Sequence, residues 1–145
     1  MKKRHKKLLS DLNKIAAHFK LKLSKIEAVK NIAFALDTSR KKLLVIDEND
    51  LPYFKTIDLR NVDACTVKVD YSRIDAGDLL EKHMDDFIEK VQLRISHSEP
   101  SKSVDIRFYD TKEDDMSELR PLIDKAKEWR DEISTKLPAR VAVRA

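Results

Sequence analysis

The stretch "NIAFALDTSRKKLLVID", residues 31–47, decides the fold. Ile32, Phe34 and Leu36 alternate with Ala33 and Ala35, a period of two, the spacing of a strand with two distinct faces. "DTSRK" (37–41) then supplies turn residues, and "KLLVID" (42–47) is a second apolar run of strand length. Strands joined by so short a turn pair antiparallel, because a parallel partner needs a long crossover.

Reading forward, "ENDLP" closes the second strand and "YFKTIDL" (53–59) begins a third. "CTVKVDY" (65–71) puts Cys65, Val67, Val69 and Tyr71 on one face, with Thr66, Lys68 and Asp70 on the other. "VQLRIS" (91–96) and "VDIRFYD" (104–110) repeat the alternation. Six strands follow, joined mostly by hairpin-length connections. Reading backward, "LKLSKIEAV" (21–29) adds a short edge strand. The link at 72–86 is longer, and two readings stay open for it: a short helix on Leu79, Leu80, His83, Met84 and Phe87, or a mobile hairpin loop.

Both flanks are helical. Leu8, Leu12, Ile15, Ala16 and Phe19 recur at helical spacing and predict an amphipathic helix over 6–19. At the other end Met116, Leu119, Ile123, Ala126, Trp129, Ile133 and Leu137 step by three or four. Acidic residues precede this run and Lys136 ends it, in the sense the helix dipole favours. Pro121 fits only a first turn, so the helix is expected to begin near 119. The predicted class is α+β: an antiparallel six- to seven-stranded barrel or sandwich, an N-terminal amphipathic helix and a long C-terminal capping helix. The expected division is a basic arm at 1–7, one domain at 8–137 and a flexible tail at 138–145.

Composition narrows the chemistry. The chain has 145 residues, of which 41% are apolar, enough for one sizeable core. Its single glycine, Gly77, excludes a phosphate loop, a dinucleotide fingerprint and a nucleophile elbow, since each needs several glycines. One cysteine, Cys65, excludes an internal disulfide and suits a reducing compartment. No apolar run approaches the roughly 18 residues of a membrane span, and no secretory leader is legible, so a soluble chain is expected. The net charge of +4 conceals a gradient. Residues 1–42 hold 13 Lys and Arg against three acids, whereas residues 43–145 hold 17 against 23. The excess gathers at "MKKRHKK", where Lys2, Lys3, Arg4, Lys6 and Lys7 form a basic arm that reads equally as a solvated terminus or as a contact for an anionic surface.

Other candidates read as structural. His5, His18, His83 and His97 show no metal-like spacing, and "DENDLP" (47–52) lacks the glycine of a calcium loop. No metal and no cofactor is expected. Cys65 lies on an apolar strand face and reads as a small buried hydrophobe. Asp114, Asp115 and Glu118 stand where a helix start attracts acids. Trp129 shares a stripe with Ala126 and Ile133 and reads as core. No nucleophile–base pair is visible, so no catalytic residue is assigned and the chain is not expected to be an enzyme.

"NIAFALD" (31–37), "IDLRNVDACTV" (57–67), "VQLRI" (91–95), "FYDTKEDD" (108–115) and "AKEW" (126–129) together resemble a group of uncharacterised bacterial proteins with a pleckstrin-homology-like (PH-like) domain. The likeness covers roughly residues 8–135. It implies a PH-like barrel closed by a C-terminal helix that carries a tryptophan. Members of that group often bear an N-terminal transmembrane helix, then a lysine-rich run and an amphipathic helix; this chain has the last two. A phosphoinositide signature between the first two strands is missing, and Arg40, Lys41 and Lys42 form only a loose basic cluster there. The resemblance implies no catalytic residues. The expected function is a non-catalytic interaction or scaffold module at the cytoplasmic face of a membrane, or the soluble part of an anchored protein. Its expected partners are an anionic membrane surface or a protein, with no small-molecule substrate. Its expected location is the cytoplasm, at the inner face of the membrane in the sharper form. A small nucleic-acid-binding protein using the basic N-terminal third is the alternative. It is weakened by the acidic remainder of the chain and by strands that show no exposed aromatic pairs.

Overall fold

The first helix, α1 (Lys3–His18), already begins inside the basic run, three residues earlier than the apolar periodicity suggests. Lys and Arg are good helix formers, so the helix continues outward past the last residue that the core needs. The computed structural model describes residues 3–138. Lys2, and all of the expected tail except Pro138, lie outside the described residues.

Among them the fold is α+β, with two antiparallel sheets that do not close. Strands β1 (Lys25–Val29), β2 (Ile32–Asp37), β3 (Lys42–Asp47) and β4 (Phe54–Asp58) form a four-stranded meander. Strands β5 (Val62–Tyr71), β6 (Ile88–His97) and β7 (Val104–Asp110) form a three-stranded one, followed by helix α2 (Leu119–Ser134). The described residues divide accordingly into two compact units, 3–61 with 136–138, and 62–135.

In the first unit, α1 lies on the four-stranded sheet. Its Leu8, Leu12 and Ala16, spaced by four, are buried against Ala33 and Ala35 of β2 and Leu44 and Ile46 of β3. The two alanines explain why the helix fits here: without long side chains on that face of β2, the helix backbone can approach the strand. Burying Leu8 and Leu12 is worth about 1.5–3 kcal/mol each, and such packing rather than propensity holds a 16-residue helix in place. The other faces of these strands are also buried, at Ile32, Phe34, Leu36, Leu43 and Val45, so β2 is covered along its whole length. A Schellman motif ends the helix. Leu21 N–H donates to Ala16 O, Lys20 N–H donates to Ala17 O, and Lys20 adopts the left-handed conformation (φ 57°).

In the second unit, β6 is the middle strand, and α2 packs on all three strands. The helix buries Leu119, Leu122, Ile123, Ala126, Trp129 and Ile133. Trp129 is fully buried, and Pro121 stands third in the helix, where its missing N–H breaks no helical bond. Cys65 is buried and Val67 and Val69 are half-buried on the same face, but Tyr71 is exposed. A register irregularity between Asp70 and Tyr71 turns the strand end out of alternation. The 72–86 link forms neither an α-helix nor an irregular loop throughout. It holds two short 3-10 turns, Asp78–Leu80 and Met84–Phe87.

Candidate anion-binding surfaces

The predicted basic arm is mostly helix. Lys3, Arg4, Lys6 and Lys7 occupy the first turns of α1 and are exposed. Between them, His5 Nε2 lies 2.9 Å from the carbonyl oxygen of Lys30 in the β1–β2 turn. Arg4 Nε lies 3.6 Å from Glu48 Oε1 in the loop after β3. About two turns further on, Tyr53 Oη donates to Asp11 Oδ2 at 2.7 Å. Burial first, and then the Asp11 carboxylate that its hydroxyl bonds, push the Tyr53 phenol up to about 12. These contacts seat the helix, and the remaining cations point to solvent. No acidic residue stands in the first turn of α1. A helix N-terminus carries roughly half a positive charge, so cations there are electrostatically misplaced as far as the helix is concerned.

A second basic surface lies at the other end of the same sheet. The β2–β3 hairpin turns on Asp37, whose carboxylate is buried. Asp37 Oδ1 accepts from Ser39 Oγ (2.8 Å) and from Arg40 N–H (3.0 Å), while Oδ2 accepts from Lys22 N–H (2.9 Å). Burial pushes this carboxyl up, but the three hydrogen bonds and the Arg40 charge outweigh it and hold the group below its ordinary value. Leu59 N–H donates to Lys41 O at 2.8 Å, which brings the turn after β4 against the hairpin. Asp58 then gathers two cations. It accepts from Arg60 Nε at 3.0 Å, Arg60 Nη2 at 2.7 Å and Lys42 Nζ at 3.3 Å. The Arg60 guanidinium holds the Asp58 carboxyl far below the usual range, against the opposing effect of its partial burial. The outcome is a concavity of about 490 Å³ lined by Ser39, Arg40, Lys41, Lys42 and Arg60.

Two features of this cluster differ from the sequence reading. With β1 in place as a strand, Arg40, Lys41 and Lys42 stand on the second hairpin of the sheet, not the first. Arg60 is an addition that local spacing cannot supply. The signal for it is the β3–β4 register, which pairs Lys42 with Asp58 and so brings Arg60 alongside.

The remaining candidates have structural partners. Asp47 Oδ1 accepts from Asn49 N–H, and Asp50 accepts from Leu51 N–H and Lys55 Nζ, so "DENDLP" is a self-bonded polar turn. His97 Nδ1 accepts from Glu99 N–H. His83 caps the 3-10 turn that follows it, its N–H donating to Asp86. His18 and Phe19 border an apolar groove of about 360 Å³ with Lys14, Ile15 and Phe54. Asp115 caps the turn before α2 by accepting from Ser117 N–H, and Asp114 accepts from Asp110 N–H. Among the described residues no group of three or more His, Cys, Asp or Glu is placed to hold a metal ion. No helix among them is long and apolar enough to cross a membrane. No protein family, curated protein or solved structure matches the chain.

Proposed function

We propose that this chain is a non-catalytic interaction module of PH-like layout that works at the cytoplasmic face of a membrane. Lys3, Arg4, Lys6 and Lys7, with Lys2 before them, meet anionic headgroups. One observation carries this reading. The apolar stripe of α1 is consumed by its own sheet, while Lys3, Lys6 and Lys7, beyond the paired Arg4, stay exposed at the end of the helix where its dipole opposes them. Residues that break a local rule of stability without a structural return mark functional positions. The PH-like layout is supported by element order: four antiparallel strands, three antiparallel strands, then one helix with a buried tryptophan.

The test is co-sedimentation with vesicles, comparing the chain with a variant in which Lys2, Lys3, Arg4, Lys6 and Lys7 are all Ser. The native chain is expected to bind phosphatidylserine-containing vesicles and to ignore neutral ones. The variant is expected to stay in the supernatant with an unchanged melting temperature. Equal pelleting of both proteins would overturn the proposal. So would native binding to duplex DNA with none to vesicles, the outcome expected of a nucleic-acid-binding protein.

A further inference from the structure

The concavity at the β2–β3 hairpin is built by residues that take no part in the surface at the start of α1. Four cations, Arg40, Lys41, Lys42 and Arg60, line it around one half-buried carboxylate, Asp58. Asp37 lies behind them, buried and occupied by backbone N–H groups and the Ser39 hydroxyl. Two positive charges are therefore left over. Asp58 takes two of the five Arg60 N–H donors, and three remain. Among the described residues no ion pair engages the Arg40 or Lys41 head groups. Like charges repel at this spacing, so the site as it stands is short of an anion.

Lys41 sits in the left-handed region (φ 54°), as Lys20 and Lys30 do, a turn position where glycine or asparagine costs least. The framework is also fixed, because the bond from Leu59 N–H to Lys41 O and the double grip of Asp58 on Lys42 and Arg60 set the rim.

We infer that this concavity binds a phosphate group, carried by a soluble ester or by a lipid headgroup. Guanidinium and ammonium groups converging on one point suit a multiply charged phosphate, since Arg offers paired donors to its oxygens and Lys a mobile point charge. The volume falls within the range of small-molecule sites, about 300–1,000 Å³, so it accommodates more than a bare ion. No aromatic side chain lines it, which disfavours a stacked base as the rest of the ligand. The site lies at the opposite end of six-residue β2 from the turn that His5 bonds, roughly 20 Å away, so it goes beyond the surface proposed for α1.

The experiment uses the full chain and inorganic pyrophosphate as the probe, followed by calorimetry and by amide NMR shifts in 0.1 M salt. Binding is expected, with shifts centred on residues 39–42 and 60. The double variant Arg40→Gln, Lys41→Gly is expected to lose at least tenfold in affinity. Glycine suits φ 54°, so its melting temperature should not fall, and Arg60→Gln should weaken binding in the same direction. The Ser variant of the N-terminal lysines should bind pyrophosphate as the native chain does, which separates this site from the membrane surface of α1. Absence of binding, shifts centred on the first turns of α1, or equal affinity in the double variant would each overturn the inference. A second arm presents the same phosphate on phosphatidylcholine vesicles with and without phosphatidic acid. If the double variant loses pyrophosphate alone, the ligand is a soluble phosphate ester. If it also loses the phosphatidic acid vesicles, the site accepts a lipid headgroup.

Discussion

Cys65 shows how one atom reports the register of a whole strand. It lies buried on β5, and burial pushes its thiol up to about 12; Arg130 pulls it back slightly, and Asp131 opposes that. At pH 8 almost no thiolate exists in the folded protein, and reagent cannot reach what does. A thiol reagent should therefore label the native chain roughly a hundredfold more slowly than the urea-unfolded chain, with the rate set by opening. Fast labelling of the folded protein would place Cys65 on the outer face and shift every β5 side chain with it. At the same scale, the left-handed positions at Lys20, Lys30 and Lys41 all fall on lysine in a chain with one glycine. Nothing in the sequence marks them, because lysine is not a turn signal; they become visible only once the backbone is known.

Elements were legible where their periodicity was strong and local. The alternation of 31–37 and the apolar run of 42–47 marked the central hairpin, and the apolar steps after 119 marked α2 with Pro121 in its first turn. Trp129 lies on the buried stripe of that helix, so Trp129→Ala should cost about 3–5 kcal/mol, read from denaturant midpoints, and the native emission should be blue-shifted. A water-exposed emission maximum would contradict the packing of α2. The 72–86 link was not legible, because 3-10 turns carry no long period. Arg60 escaped for another reason: it joins the basic hairpin through strand pairing, a nonlocal fact. The hairpin itself makes a pH prediction. The folded Asp37 carboxyl lies below its unfolded value near 3.9, so its charged form stabilises the hairpin above that pH. The contribution is lost as pH falls through the lower folded value, and Asp58 acts in the same direction. Asp37→Ala should cost about 1–3 kcal/mol at pH 7, because buried N–H donors lose their acceptor. The gap to the native chain should narrow toward pH 2. A gap that stays constant from pH 7 to pH 2 would mean the Asp37 charge contributes nothing.

On the scale of the molecule, the membrane role proposed above rests on charge, because the apolar stripe of α1 is spent on its own sheet. Its net charge is small, yet nearly all the basic excess sits in residues 1–42, which supply both basic surfaces apart from Arg60. A uniformly basic protein would be attracted from any side; a segregated one is oriented by the field it meets. The apolar residues of α1 are already engaged with Ala33, Ala35, Leu44 and Ile46, so the helix cannot insert without giving up its own core. Attachment through charge alone has a distinct signature in salt. Each basic residue near an anionic leaflet contributes about 1 kcal/mol, and the contribution fades as the Debye length shrinks from about 8 Å at 0.15 M to 3 Å at 1 M. On the proposed role, replacing Lys3, Lys6 and Lys7 by Ser should remove about 3 kcal/mol, a loss of roughly a hundredfold in vesicle affinity at physiological ionic strength. At 1 M salt the native chain and this variant should become indistinguishable, both unbound. The variant should melt no lower than the native chain, because cations are withdrawn from a helix end whose dipole disfavours them. Binding by the native chain that persists at 1 M salt would mean that apolar contact holds it, either through exposed side chains such as Leu51, Leu79 and Leu80 or through α1 leaving the sheet.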